Sequence, residues 1–309
     1  MKELLNQSRM FKQITVLSLL MVLFSACDKD KFNAEIPSYI HIESIEVETL
    51  SFEGSNSDKI TDAWITMDGQ YLGAFELPCT VPVLAEGEHV FTIYAGIKAN
   101  GISAIRMKYP FYSKCDLYIN QGEDYVLAEE YRVNLTKDSL VSLKAITHYK
   151  ENVNFLLLED FEDAGSLFEA SEDSDTSLVR VNTEDLVFEG AGSGAIFMAD
   201  SVDFFELITS EYYEIPHLYN NTFLELNYRC NHPFKIGLQV RSDLGVNQYE
   251  SLTINPSEEW NKVYVYMTEQ LVLANSQDEF GLFIGMPKDP TMEKEAYFYF
   301  DNIKWLQEQ

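Results

Sequence analysis

Histidine and cysteine are the scarcest chemistry-bearing residues of this chain, five and four in 309, and no C-x-x-C or Cys/His cluster stands at ligand spacing. That removes support for a zinc centre or a dithiol redox site. A Gly-x-Ser-x-Gly elbow, a P-loop and a dinucleotide-binding glycine fingerprint are all missing, so the common routes to acyl transfer, phosphoryl transfer and hydride transfer have no footing. Basic residues are few: 22 Lys and Arg against 50 Asp and Glu leave a formal charge of −28. So acidic a chain repels nucleic acid and anionic lipid. Neutral glycans, cationic partners and Ca²⁺ remain compatible with it. Proline and glycine are also modest, while aromatics make up 13% of the chain, which argues for a packed fold rather than disorder.

What is present begins at the N-terminus. Lys2, Arg9 and Lys12 precede an uncharged apolar run over residues 14–24, too short to span a bilayer but suited to a signal-peptide core. Phe24-Ser25-Ala26-Cys27 closes it and resembles a bacterial lipobox, with Phe24 where Leu is usual. The resemblance implies cleavage after residue 26 and acylation of Cys27, each buried methylene adding about 0.8 kcal/mol of membrane affinity. Residues 27–37 lack apolar periodicity and read as a tether. Within them Asp28-Lys29-Asp30-Lys31 resembles the charged surface-export signal of Bacteroidota lipoproteins. The enterobacterial rule for Asp28 points instead to the inner membrane. The expectation is an outer-membrane lipoprotein, exposed at the cell surface or facing the periplasm.

Residues 38–150 read as a small β-sandwich. Ile40, Ile42, Ile45 and Val47 alternate with polar neighbours as in a half-buried strand. Residues 63–67 lead into Asp68-Gly69, a type I′ turn signal, and 70–75 return as a second strand. Residues 78–84 cross over, Glu86-Gly87-Glu88 turns, and 89–95 form another strand. His89 opens it where a histidine packs its ring or bonds a turn carbonyl. The aromatic cluster Tyr109, Phe111 and Tyr112 is expected in a core or an interface. The hairpin, the proline-rich crossover Leu77-Pro78-Cys79-Thr80-Val81-Pro82 and the strand from Gly87-Glu88-His89 resemble a PEGA-type domain of bacterial surface proteins. With Ile36-Pro37-Ser38-Tyr39 and Ile60-Thr61-Asp62-Ala63-Trp64, they also resemble an uncharacterised Bacteroidota lipoprotein family. Beyond Cys27 the cysteines are Cys79, Cys115 and Cys230; a Cys79–Cys115 bridge is open on spacing alone.

Residues 151–309 carry at least eight strand signals at regular spacing, which fits a jelly roll, with one helical turn over 268–274. An opening Glu159-Asp160-Phe161-Glu162-Asp163, a middle Glu259-Trp260-Asn261-Lys262 and a closing Tyr299-Phe300-Asp301-Asn302-Ile303 resemble galactose-binding-like carbohydrate-binding modules. In those the first and last strands pair, and the closing Asp helps hold a structural Ca²⁺. The metal candidates are therefore Asp160, Glu162 and Asp301, an oxygen set of the kind Ca²⁺ takes. As glycosidase residues these carboxylates would need to oppose one another across a cleft about 5–9 Å wide. Their clustering about one strand end does not offer that, so no catalytic role is expected.

Strand parity supplies the glycan candidates. Leu224, Leu226 and Tyr228 share one side of their strand, leaving Glu225, Asn227 and Arg229 on the other. Ile236, Leu238 and Val240 oppose Gln239 and Arg241, while Val263 and Val265 oppose Tyr264 and Tyr266. If those strands shared a sheet, its open face would pair flat rings with polar groups, the mixture a sugar needs. Tyr212, Tyr213 and Tyr219, near His217, form a second candidate platform, and Trp260 is expected to pack. The whole reads as an all-β protein, a PEGA/Ig-like sandwich followed by a jelly roll, anchored by its N-terminal lipid. The leading function is non-catalytic glycan binding. The rival is an assembly subunit docking on an envelope protein through an apolar patch around 109–112.

Overall fold

The computed structural model describes residues 35–215, 219–274, 278–287 and 295–309. The signal segment 1–26, the acylation of Cys27, most of the tether 27–37 and His217 lie outside those residues. The fold is all-β, as expected. Between residues 38 and 147 lie β1 (Ser38–Val47), β2 (Asp62–Met67), β3 (Gln70–Glu76), β4 (Cys79–Val83), β5 (Gly87–Lys98), β6 (Arg106–Lys108), β7 (Asp116–Asn120), β8 (Tyr125–Leu127), β9 (Arg132–Leu135) and β10 (Leu140–Thr147). One sheet runs β4–β1–β10–β7–β8 and the other β3–β2–β5–β6, with β9 also on β5. Strands β1 and β10 pair in parallel.

Local chemistry explains the turns. Asp68 and Gly69 carry φ of 51° and 79°, the left-handed pair that a type I′ hairpin demands. His89 completes that corner, its Nδ1 2.7 Å from Asp68 Oδ2 and its Nε2 3.2 Å from the Glu86 carbonyl. The segment read as a crossover forms β4 instead. Alternate Cys79, Val81 and Val83 face the core, which draws it onto the edge of β1. Cys79, Cys115 and Cys230 are buried free thiols.

The second sandwich comprises β11 (Val153–Glu159), β12 (Phe168–Ala170), β13 (Val179–Val181), β14 (Ser193–Met198), β15 (Phe204–Thr209), β16 (Tyr213–Glu214), β17 (Thr222–Cys230), β18 (Phe234–Ser242), β19 (Gly245–Ile254), β20 (Ser257–Tyr266), the short helix α1 (Thr268–Leu271), β21 (Glu279–Pro287) and β22 (Ala296–Glu308). Its first sheet runs β13–β14–β22–β17–β20, with β11 also on β22. The opposing sheet runs β12–β15–β21–β18–β19, with β16 also on β21. First and last strands lie side by side, Glu159 opposite Ile303. Between the sheets sits a core of Phe205, Leu226, Phe234, Leu238, Phe298, Trp305 and their neighbours.

The two sandwiches share a wall. Phe223, Tyr264 and Leu306, on the outer face of the first sheet, belong to the same buried cluster as Tyr109, Phe111 and Tyr112. The Tyr109 ring meets Phe223 at 5.3 Å and Tyr264 at 4.9 Å between centroids. The Asn100-Gly101 turn adds backbone pairing, with Asn100 N donating to the Tyr264 carbonyl (2.8 Å) and its Oδ1 accepting from Tyr266 N (2.8 Å). The central part of that sheet's outer face, around Phe223, Glu225, Tyr264 and Leu306, is thereby removed from solvent.

Candidate ligand face

Strand parity was read correctly, but the sheet assignment was not. Strands β17 and β20 share the first sheet, whereas β18 lies in the opposing one, so the seven candidate residues divide between opposite sides of the module. Glu225, Asn227 and Tyr264 form no open platform: they are 0, 2 and 1% exposed beneath the N-terminal sandwich, with half-buried Tyr266 at the margin. The physical reason is the aromatic wall around Tyr109, which packs on this face and buries apolar area against it.

Burying Glu225 requires a full set of partners. Lys262 Nζ lies 2.8 Å from its Oε2, and the hydroxyls of Tyr109 and Tyr149 donate to its Oε1 at 2.7 and 2.9 Å. Burial alone would raise this carboxyl's pKa, but the Lys262 and Lys304 ammoniums and the hydrogen bonds hold it below its ordinary value. The lysines in turn donate across the boundary, Lys262 to the Ser57 carbonyl (2.6 Å) and Lys304 to that of Ser55 (2.7 Å). Desolvation nevertheless pulls Lys304 down to about 8. Asn227 Oδ1 accepts from Ser57 (3.0 Å). Arg229, at the rim, donates to the Asp185 carbonyl (2.8 Å).

The carboxylates proposed for Ca²⁺ do not converge either. Asp160 Oδ1 accepts from Glu162 N (3.1 Å), and Glu162 in turn accepts from Ala191 N (2.8 Å) and Gly192 N (3.3 Å). Asp301 is buried against Ser193, whose hydroxyl donates to Oδ2 at 2.5 Å, and burial pushes the carboxyl up to about 7. Among the described residues no three His, Cys, Asp or Glu side chains gather at metal-binding distance. Each of the three carboxylates serves a backbone or hydroxyl donor of its own, and the three do not gather about one point, so as placed here this donor set does not fit Ca²⁺.

The open face belongs to the opposing sheet. Phe234, Ile236, Leu238 and Val240 point into the core, leaving Gly237, Gln239 and Arg241 of β18 outward beside Gly281 and Phe283 of β21. Glycine is needed under the ring: a Cβ on Gly237 would collide with Phe283 and with the Tyr249 carbonyl. Tyr212, just before β16, joins this group. Its hydroxyl donates to Gln239 Oε1 (3.0 Å), its ring lies 4.0 Å under the Arg241 guanidinium, and Arg241 pairs with Glu279. Burial raises the Tyr212 phenol, with Glu206 and Glu279 adding to the rise and Arg241 opposing it.

Across the face, Gln248 Nε2 of β19 donates to Glu206 Oε2 of β15 at 2.8 Å. Two strands separate β15 from β19. A flat sheet would hold them about 14 Å apart, beyond easy reach of two side chains. The sheet therefore curls toward solvent, and the face is a groove with Gly237, Gly281 and Phe283 along its floor. Lys235 and Glu250 pair on its flank at 2.6 Å, which lowers the Glu250 pKa.

Of the expected residues, Gln239, Arg241 and Tyr212 meet here. Tyr213 packs on Trp305 at 5.5 Å instead, and Tyr219 stands exposed. Trp260 packs near Phe188, as expected. Glu206, Gln248 and Phe283 were missed. The alternation of Phe205 and Leu207 about Glu206 was the available signal.

No family model matches the chain, and no curated protein matches it. Among solved structures the likenesses include carbohydrate-binding modules. One is a family 61 module in complex with β-1,4-galactotriose, 14% identical with a TM-score of 0.34, covering 50% of this chain and 99% of that one. Another is the family 11 module of a cellulosomal cellulase of Clostridium thermocellum, 12% identical with a TM-score of 0.34, covering 50% and 93%. An exo-β-agarase matches at 9% and a TM-score of 0.34, over 50% of this chain and 26% of its own. Likeness at this level assigns neither ligand nor role to any residue here.

Proposed function

We propose that this protein is a lipoprotein acylated at Cys27 that binds carbohydrate at the cell envelope without turning it over, through the groove of the second sandwich. The observation that carries the reading is the groove's composition. It is a concave surface on which the half-buried Tyr212 ring and the Gln248, Glu206 and Arg241 side chains stand beside Gln239 and Phe283, which are themselves 5 and 6% exposed. Rings of that kind pack the C–H face of a pyranose, while amides and charged groups exchange hydrogen bonds with vicinal hydroxyls. The fold holds all of these groups except Tyr212 on strands rather than loops, which keeps them pre-organised and lowers the entropy lost on binding.

The rival reading, a subunit docking through 109–112, loses its surface, since Tyr109, Phe111 and Tyr112 are buried within the chain's own interface. The test is affinity electrophoresis of the chain from Glu35 onward in gels containing mixed-linkage β-glucan, β-1,4-galactan or glucomannan. Retention by at least one polymer, abolished by Gln239→Ala, supports the reading. Unretarded migration in all gels contradicts it.

A further inference from the structure

Resting on that reading, we infer that the groove selects uncharged glycans and rejects polyanionic ones, with Glu206 as the residue that sets this selectivity. Among the described residues the groove holds two cationic groups, and both are committed. Arg241 pairs with Glu279 while covering the Tyr212 ring, and Lys235 lies 2.6 Å from Glu250, whose other oxygen accepts from Thr253 at 2.8 Å. Glu206 differs, because its described hydrogen-bond partner is the neutral amide of Gln248. Among the described residues Glu206 is thus a carboxylate of this face with no cation as hydrogen-bond or ion-pair partner, inside a chain of net charge −28. Among the described residues a uronate or sulfate entering would meet no free ammonium or guanidinium; it would have to break an existing ion pair beside a repelling carboxylate. A neutral sugar meets neither obstacle. Its hydroxyls can donate to Glu206 and Gln239 and take over the Gln248 amide, exchanging one bond across the groove for several to ligand. Rejection through a like charge is the repulsive half of specificity.

The experiment compares retention of the chain from Glu35 onward in gels of neutral polymer (mixed-linkage β-glucan, galactan, glucomannan) with gels of polygalacturonate, alginate and carrageenan, at low salt and at 0.5 M NaCl. Retention by a neutral polymer with at least tenfold weaker retention by all three polyanions is expected at low salt. Glu206→Gln should narrow that ratio at least threefold, and Glu206→Lys should narrow it further, with near-ultraviolet circular dichroism confirming the fold. Polyanion retention equal to or above the neutral value overturns the inference while leaving carbohydrate binding in place. An unchanged ratio in both variants overturns the role of Glu206. Absence of retention by every polymer removes the parent reading and the inference together.

Discussion

Both sheets of the C-terminal sandwich turn charged side chains away from their common core, and the two sets meet opposite fates. On the first sheet Glu225, Lys262 and Lys304 are at most 4% exposed and joined by tyrosine hydroxyls from the other sandwich. On the second, Arg241 with Glu279 and Lys235 with Glu250 stay 41–46% exposed. A buried charge cannot give up its partners without a large desolvation cost, so the first set works as a lock. Exposed pairs are worth little and exchange readily with water or ligand hydroxyls. The same strand chemistry thus produces a structural face where a second domain covers it, and the face proposed to bind where none does.

That contrast can be broken first at its strongest point. Glu225→Ala leaves two buried ammoniums without their carboxylate and should cost about 3–5 kcal/mol in urea unfolding. A loss below 1 kcal/mol would mean the wall is not closed. Tyr109→Phe deletes one hydrogen bond to the buried carboxylate and should cost about 1.5–3 kcal/mol by the same measurement. Asp301 sharpens the comparison through pH. Its carboxyl, lifted from 3.8 to about 7, binds a proton more tightly folded than unfolded. Its contribution is therefore complete below about pH 4 and lost as pH rises through about 7. Asp301→Asn should flatten that decline relative to wild type, and parallel profiles would contradict the assignment. Lys235→Ala on the open face should cost less than about 1 kcal/mol.

Much of the local structure was legible. Alternation placed Leu224, Leu226, Ile236, Leu238, Val263 and Val265 on core faces, and Asp68-Gly69 marked its hairpin, because periods of two and positive φ are written within a few residues. The cluster at 109–112 was read as packing, which it is. The site was half legible. Tyr212, Gln239 and Arg241 were singled out, but β17 and β18, adjacent in sequence, enter opposite sheets, and no local pattern distinguishes that from a hairpin. Nor does parity reveal which face a second domain will cover. A hint existed in Glu225, Lys262 and Lys304, long charged residues sharing a face with large rings, a pairing that an interface needs and a solvated sheet does not. Glu206, Gln248 and Phe283 lie on strands remote in sequence, and only the curl of the sheet brings them together.

The most direct test sets one tyrosine from each face against the other. Tyr212→Ala and Tyr266→Ala would be compared with wild type by affinity electrophoresis in whichever neutral polymer retains the chain. Loss of retention in Tyr212→Ala with retention kept in Tyr266→Ala is the predicted result. The reverse pattern, or equal loss in two folded variants, would contradict the account that the covered sheet is structural and the open one binds.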